Sequence, residues 1–211
     1  AADLGKELSY QFWHDRFGFI RNTLKAYRCD VIVGTNTTYD AVNTTKPYYR
    51  AGHVWIYRKD SGYNISDWNS PDLRKGVIGI VDKSPVSVAL HANDLMANAK
   101  PYRLMRDLTK SPGQLVDHVV SGEIDVAVMW GPIGGYYAKQ SKEDLVVVLI
   151  PEYSDGNEKL TGKTYWNISA GVRKREDERR DMIEAAFVRN KDKIRKIMDD
   201  FGVPYAEPVF A

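Results

Sequence analysis

Four histidines, His14, His53, His91 and His118, are the first side chains to test for chemistry, and they stand far apart in different predicted elements. No two share the i, i+4 spacing of a helical metal site, and neither the single cysteine, Cys29, nor a carboxylate cluster joins them. No serine lies in G-x-S-x-G or S-x-x-K, and Cys29 falls at a strand start rather than at a helix N-terminus, where a thiolate would be stabilised. Gly131-Pro132-Ile133-Gly134-Gly135 lacks the Lys-Ser/Thr pair of a phosphate loop, and Gly34 does not open G-x-G-x-x-G. There is no nucleophile–base pair, no metal set and no cofactor loop, so the expected cofactor list is empty. Binding is the class of function left.

The binding candidates are polar groups at strand ends and aromatic side chains. Thr35-Asn36-Thr37-Thr38-Tyr39-Asp40 places small hydroxyls and an amide after an apolar strand, and open α/β sheets take ligands there. Ser84-Pro85 reads as an N-cap followed by Pro at the first helical position, opening a helix through about Asn98, and Ser111-Pro112 repeats the pattern. The exposed N–H groups of such a start suit an anion or a dipole, although an ordinary cap explains most Ser-Pro pairs. Trp13, Trp55, Trp130 and Tyr48-Tyr49 are candidates to wall an aromatic cleft. Trp55 lies within its strand and reads as core. Trp130 is the better candidate, because it ends a strand beside Gly131-Pro132. The expected site is therefore Trp13, Thr35, Asn36, Tyr49, Ser84, Pro85, Trp130 and Gly131.

The elements that must position these residues contain one pattern twice. Arg28-Cys29-Asp30-Val31-Ile32-Val33-Gly34 and Glu123-Ile124-Asp125-Val126-Ala127-Val128-Met129-Trp130-Gly131 are apolar strands entered through Asp, each after an amphipathic segment, Ile20 to Tyr27 and Gln114 to Val120. Further strands are predicted at Leu8–Trp13, His53–Tyr57, Val77–Val81, Tyr102–Met105 and Tyr165–Val172. Leu145–Ile150 reads as a fully buried strand from its unbroken apolar run. A short capped helix is expected over Asn69–Gly76, a turn at Ser154–Asn157, and one long helix from Glu176 to Asp200. Alternating strands and helices imply an α/β fold with a mostly parallel sheet in each of two lobes. The expected division is 1–55 with 169–211 as a discontinuous first lobe and 56–168 as the second, joined by a two-strand hinge.

The bulk properties narrow the partners. A formal net charge of +2, without a Lys/Arg cluster, does not mark a nucleic-acid binder, and no apolar run approaches the ~20 residues of a membrane span. Ala1–Lys6 reads as the last turn of a helix with Gly5 near its C-cap, so the first strand and helix of the first lobe are expected to be missing. Cys29 is open to two readings: a small buried hydrophobe, or a cysteine whose disulfide partner lies in that missing part.

Thr44-Thr45-Lys46-Pro47-Tyr48-Tyr49 before a crossover strand resembles the type II periplasmic solute-binding proteins, over nearly the whole chain. Phe17–Leu24, Arg28–Gly34, Thr44–Arg50 and Gly122–Pro132 together resemble one subgroup, the quinoprotein-dehydrogenase-associated binding proteins of the MxaJ/XoxJ family. The resemblance implies a periplasmic, non-catalytic protein. It also implies a role supporting a pyrroloquinoline-quinone (PQQ) dependent methanol dehydrogenase and its c-type cytochrome. The amino-acid-binding branch holds the ligand carboxylate with an Arg before Pro-Tyr-Tyr and its ammonium with an acid after the second Asp strand. Here Gly34–Thr45 contains no Arg, and the second place is Trp130-Gly131-Pro132. A buried zwitterion without counter-charges is poorly compensated, so an uncharged ligand, a peptide segment or a protein side chain is expected. The alternative is a solute receptor for an ABC transporter, or a PQQ-type cofactor carrier using Arg16, Arg21, Lys46 and the Ser84 helix start.

Overall fold

The computed structural model describes residues 1–13, 18–104, 107, 109–152 and 163–210. The chain forms two compact units: 1–50, 166–196 and 207–211 in the first, and 51–165 with 197–206 in the second. The expected boundaries fell at 55/56 and 168/169. The observed units divide at 50/51 and 165/166, and the second also takes 197–206.

The first unit is built on β1 (Ile32–Asn36), β2 (Asn43–Thr44) and most of β8 (Tyr165–Val172). β8 pairs antiparallel with both β1 and β2, so Gly171 faces Ile32 on one side and Thr44 on the other. The mostly parallel sheet expected here is not what forms among the described residues, because β1 and β2 both run antiparallel to β8. The first helix is also shorter than its amphipathic pattern: α1 spans Phe19–Asn22, and Tyr27 turns the chain with φ 57°. One face of the sheet buries Ile20, Leu24, Ile32 and Val42, and the other buries Ala170, Val172 and Ile183. The expected strand over Leu8–Trp13 does not form. Its alternation is real, but these residues pair with no strand among those described, and Leu8, Tyr10 and Phe12 are exposed.

The second unit centres on β3 (Tyr49–Arg58). It pairs antiparallel with β6 (Val126–Trp130) on one side and with β7 (Leu145–Leu149) on the other. β4 (Ile78–Val81) lies parallel to β6 and to β5 (Ala99–Tyr102). Side chains of a strand alternate between faces. Trp55 and Tyr57 therefore enter one core with Ile65, Trp68, Ile78, Ile80, Val86 and Leu90. Val54 and Ile56 enter the other, with Leu115, Val116, Val119, Ile124 and Met129. Among the described residues β7 has β3 as its one neighbour, and each of its residues is half-buried rather than fully enclosed as its run of valines suggested.

The helices differ from their predicted limits at starts and at stops. α2 is Val86–Ala92 and ends at Asn93, short of Asn98. α3 is Gln114–Ser121, beginning after Ser111, whose Oγ instead accepts the Gly113 N–H at 3.1 Å. α4 is Gly131–Gln140. Pro71–Arg74 is a 3-10 turn that Ser70 does not cap; its Oγ accepts the N–H groups of Ser66 and Asp67. The single long helix expected at the C-terminal end is two, α5 (Asp177–Arg189) and α6 (Lys191–Asp200). They are broken at Asn190, whose side-chain amide donates to the Ala186 carbonyl. Met105 and Ser154–Asn157 lie outside the described residues.

Candidate functional site

The two Asp residues that open the repeated strands serve the fold. Asp30 accepts from Arg173 at 2.8 Å and from Arg179, and these guanidiniums hold its carboxyl below the usual carboxylate range. Arg173 also donates to the carbonyls of Leu24 (3.1 Å) and Cys29 (2.8 Å) and to Glu176 (2.8 Å), with its guanidinium 4.3 Å from the centre of the Tyr27 ring. Cys29 is half-buried with a free thiol. In the second unit, Asp125 accepts the Val77 N–H at 2.7 Å, fastening the entry of β6 to that of β4. Both carboxylates thus sit at the N-terminal ends of their strands, opposite the ends where a ligand would bind.

At the C-terminal end of β1, the hydroxyls expected to meet a ligand meet one another. Thr37 Oγ1 lies 2.7 Å from Ser169 Oγ and donates to the Asn167 carbonyl at 3.0 Å. Thr44 Oγ1 donates to the Thr37 carbonyl at 2.8 Å. Thr45 Oγ1 donates to the Lys46 carbonyl at 2.8 Å and accepts the Ala170 N–H at 3.1 Å. Thr35 is buried opposite Ser169, and the Asn36 carboxamide oxygen accepts from Thr38. The bonds to Asn167, Ser169 and Ala170 close the turn onto β8, and the others tie the loop to itself. Tyr49 is half-buried, 4.9 Å from Tyr48, whose ring also packs 4.4 Å from Phe187. Burial pushes both phenols above their ordinary pKa. The Tyr48 N–H donates to the Ile168 carbonyl, so Asn36 and the Tyr48-Tyr49 pair flank the same stretch of β8. Trp13 is elsewhere in this unit: the Arg28 guanidinium lies 5.5 Å over its ring, near the entry to β1.

In the second unit, Ser84-Pro85 and Trp130-Gly131 follow the C-terminal ends of β4 and β6. These strands run parallel, so the four residues share one edge of the sheet. Ser84 is not the cap the sequence suggested. Lys83 turns with φ 60°, the helix begins at Val86, and the enclosed Ser84 Oγ has no hydrogen-bond partner among the described residues. Trp130 leads straight into α4. A Cβ on Gly131 would stand 2.5 Å from the Gly52 carbonyl oxygen and 3.2 Å from Pro204 Cγ, so only glycine lets the strand turn there.

One residue at this edge carried no signal in the sequence. His53 faces Trp130 across the β3–β6 ladder, their rings 5.4 Å apart and edge-on. It is buried, its Nδ1 lies 3.2 Å from the Thr164 carbonyl, and burial lowers its pKa to about 4, which keeps the ring neutral. Of the basic residues considered for a carboxylate-bearing cofactor, Arg16 lies outside the described residues and Arg21 is exposed. Lys46 is held by Glu184, through its backbone N–H at 2.8 Å and its Nζ at 3.1 Å. Among the described residues no group of three or more His, Cys, Asp or Glu could hold a metal ion, and no helix is long and apolar enough to cross a membrane.

No family model matches the sequence. Protein MoxJ of Methylorubrum extorquens AM1 is 27% identical over 195 residues, which are 88% of this chain but 65% of that protein, so the chain spans less than two thirds of this relative. The crystal structure of MxaJ from Methlophaga aminisulfidivorans MPT superposes with a TM-score of 0.82 at 28% identity, covering 98% of this chain and 88% of that one. The periplasmic binding protein XoxJ from Methylobacterium extorquens AM1 gives 0.76 at 26% identity, over 99% and 86%. An ancestral cationic amino acid solute-binding protein, at 18% identity and a TM-score of 0.66, shares the fold alone. The chain has the fold of the type II periplasmic binding proteins, and in sequence and structure it is similar to MoxJ, MxaJ and XoxJ.

Proposed function

We propose that the protein works in the periplasm as a non-catalytic partner of a PQQ-dependent methanol dehydrogenase and its c-type cytochrome. In this reading it acts on maturation or activation of the dehydrogenase rather than carrying a small solute. The observation that supports this most is the closed hydroxyl network at the end of β1. Thr37, Thr44, Thr45 and Ser169 are engaged by the fold, and no Arg stands between Gly34 and Thr45. A free amino acid would need a charged anchor at each end, and Trp130-Gly131-Pro132 offers none for the ammonium. Aromatic groups such as Trp130 and Tyr49 instead suit an apolar or aromatic protein segment, the kind of contact that dominates protein interfaces.

The experiment pairs purified chain with methanol dehydrogenase. It measures complex formation by biosensor and, in cells with and without this protein, dehydrogenase activity and PQQ content per enzyme. Association together with a fall in activity or PQQ loading on deletion is expected. Absence of association, with both quantities unchanged, overturns the reading.

A further inference from the structure

Arg173 fastens two turns of the first unit together, 24–29 and 173–176. It donates to the Leu24 and Cys29 carbonyls of the first turn, and in the second its own carbonyl accepts the Glu176 N–H at 3.2 Å. The fold does not use up the cations that these turns carry. Lys25, Lys174 and Arg175 are exposed and make no ion pair among the described residues. Arg28 is exposed as well, and its contact with the Trp13 ring leaves its charge in place. The acids nearby are mostly engaged: Asp30 and Glu176 are each shared between Arg173 and Arg179, and Arg180 meets Asp177 and Asp181. Glu178, in the first turn of α5, offsets one charge. The surface therefore has an excess of positive charge that its own unit does not balance.

Tyr27 stands among these cations. It is 77% exposed, yet the Arg173 guanidinium lies 4.3 Å from its ring centre and holds the ring in place. Tyr27 and Arg175 also adopt left-handed backbone, with φ 57° and 69°, where glycine fits at least cost. A large aromatic and a long cation thus occupy positions that the turns alone would give to glycine, and both side chains reach outwards.

We propose that this surface docks an acidic protein face, whose Asp and Glu side chains meet Lys25, Arg28, Lys174 and Arg175 around the Tyr27 ring. The inference rests on the reading above, in that the acidic face is assigned to the methanol dehydrogenase. Contact is made at the entry to β1, away from the strand end at Thr35 and Asn36. A fixed tyrosine supplies apolar area for the centre of an interface, while free cations at its rim steer a negatively charged partner. A lipid surface suits it less. Asp30, Glu176 and Glu178 stand among the cations and would be pressed against anionic headgroups, whereas a folded partner can set its acids opposite the cations alone.

The test titrates the 211-residue chain against purified methanol dehydrogenase by biosensor, and separately against phosphatidylglycerol vesicles. Lys25→Glu combined with Lys174→Glu is expected to leave the Tm unchanged, because both side chains are exposed and unpaired. The pair should weaken the complex about tenfold at low salt, mainly through slower association. That loss should shrink at about 0.5 M salt, where charges are screened. Arg175→Gly is expected to weaken the complex in the same direction without lowering the Tm, since glycine suits the backbone there. A complex indifferent to both variants and to salt overturns the proposal and leaves the dehydrogenase reading standing. Absence of any complex overturns both. Vesicle binding that the variants abolish, with the dehydrogenase complex unchanged, overturns it in favour of a membrane.

Discussion

His53 and Gly131 show how single residues hold the edge of the second unit where Trp130 stands. His53 is neutral in the folded protein, with its pKa lowered from 6.5 to about 4 by burial. Between those values the unfolded chain binds a proton that the folded chain refuses. Its contribution is therefore complete above pH 6.5 and is lost as pH falls towards 4, on the order of 3 kcal/mol across the window. Urea unfolding from pH 7 to 4 should show this slope, and His53→Phe should flatten it. Gly131→Ala forces a methyl against the Gly52 carbonyl oxygen, and should lower stability by about 1–3 kcal/mol in the same assay. Trp130→Ala removes a half-buried aromatic without a clash. It should leave the Tm within a few degrees while weakening the proposed complex with methanol dehydrogenase about tenfold or more, read by biosensor titration. Trp130 and Gly131 stood out in the sequence because a strand met Gly-Pro. His53 did not, because what marks it is a neighbour 77 positions away that only the β3–β6 register supplies.

Among the elements, strands proved the more legible. β8 has the limits its pattern suggested, β3 contains the predicted His53–Tyr57, and β4 is the predicted Val77–Val81 less its first residue, since alternating or continuous apolar runs report burial directly. Starts of helices were read less well. Ser84-Pro85 and Ser111-Pro112 have cap chemistry, but in each case the chain turns first, through Lys83 or Gly113, and the helix opens one or two residues later. The Leu8–Trp13 pattern failed for a different reason: a strand needs a neighbour as well as a sequence. Arg173 is the tie between elements of the first unit, joining the ends of β8 and of the α1 turn to the approach to β1. Arg173→Ala removes bonds to two carbonyls and two carboxylates from a nearly enclosed side chain. It should cost about 3 kcal/mol or more, with Arg173→Lys restoring little because lysine cannot fork. Chemical denaturation of the two variants beside the parent chain checks this.

At the scale of the molecule, the two units differ in how much apolar surface they enclose. Hydrogen exchange should separate them: amides of β1 and β2 should exchange well before those of β3, β4 and β6, whose faces are both covered. Uniform protection across both would contradict this picture. The fold class was visible from the paired Asp strands, whereas the antiparallel sheet of the first unit was not, because it joins segments more than a hundred residues apart. The hydroxyl network of Thr37, Thr44, Thr45 and Ser169 has a corollary for redesign. Building an amino-acid pocket on this chain would not be a matter of replacing Thr37 or Thr45 with one arginine. That change would first strand Ser169 Oγ, which is fully buried, or the Ala170 N–H without a partner. An amino-acid pocket is then separated from this sequence by a stability valley, crossed only by substitutions made together on β8 and on the loop that faces it.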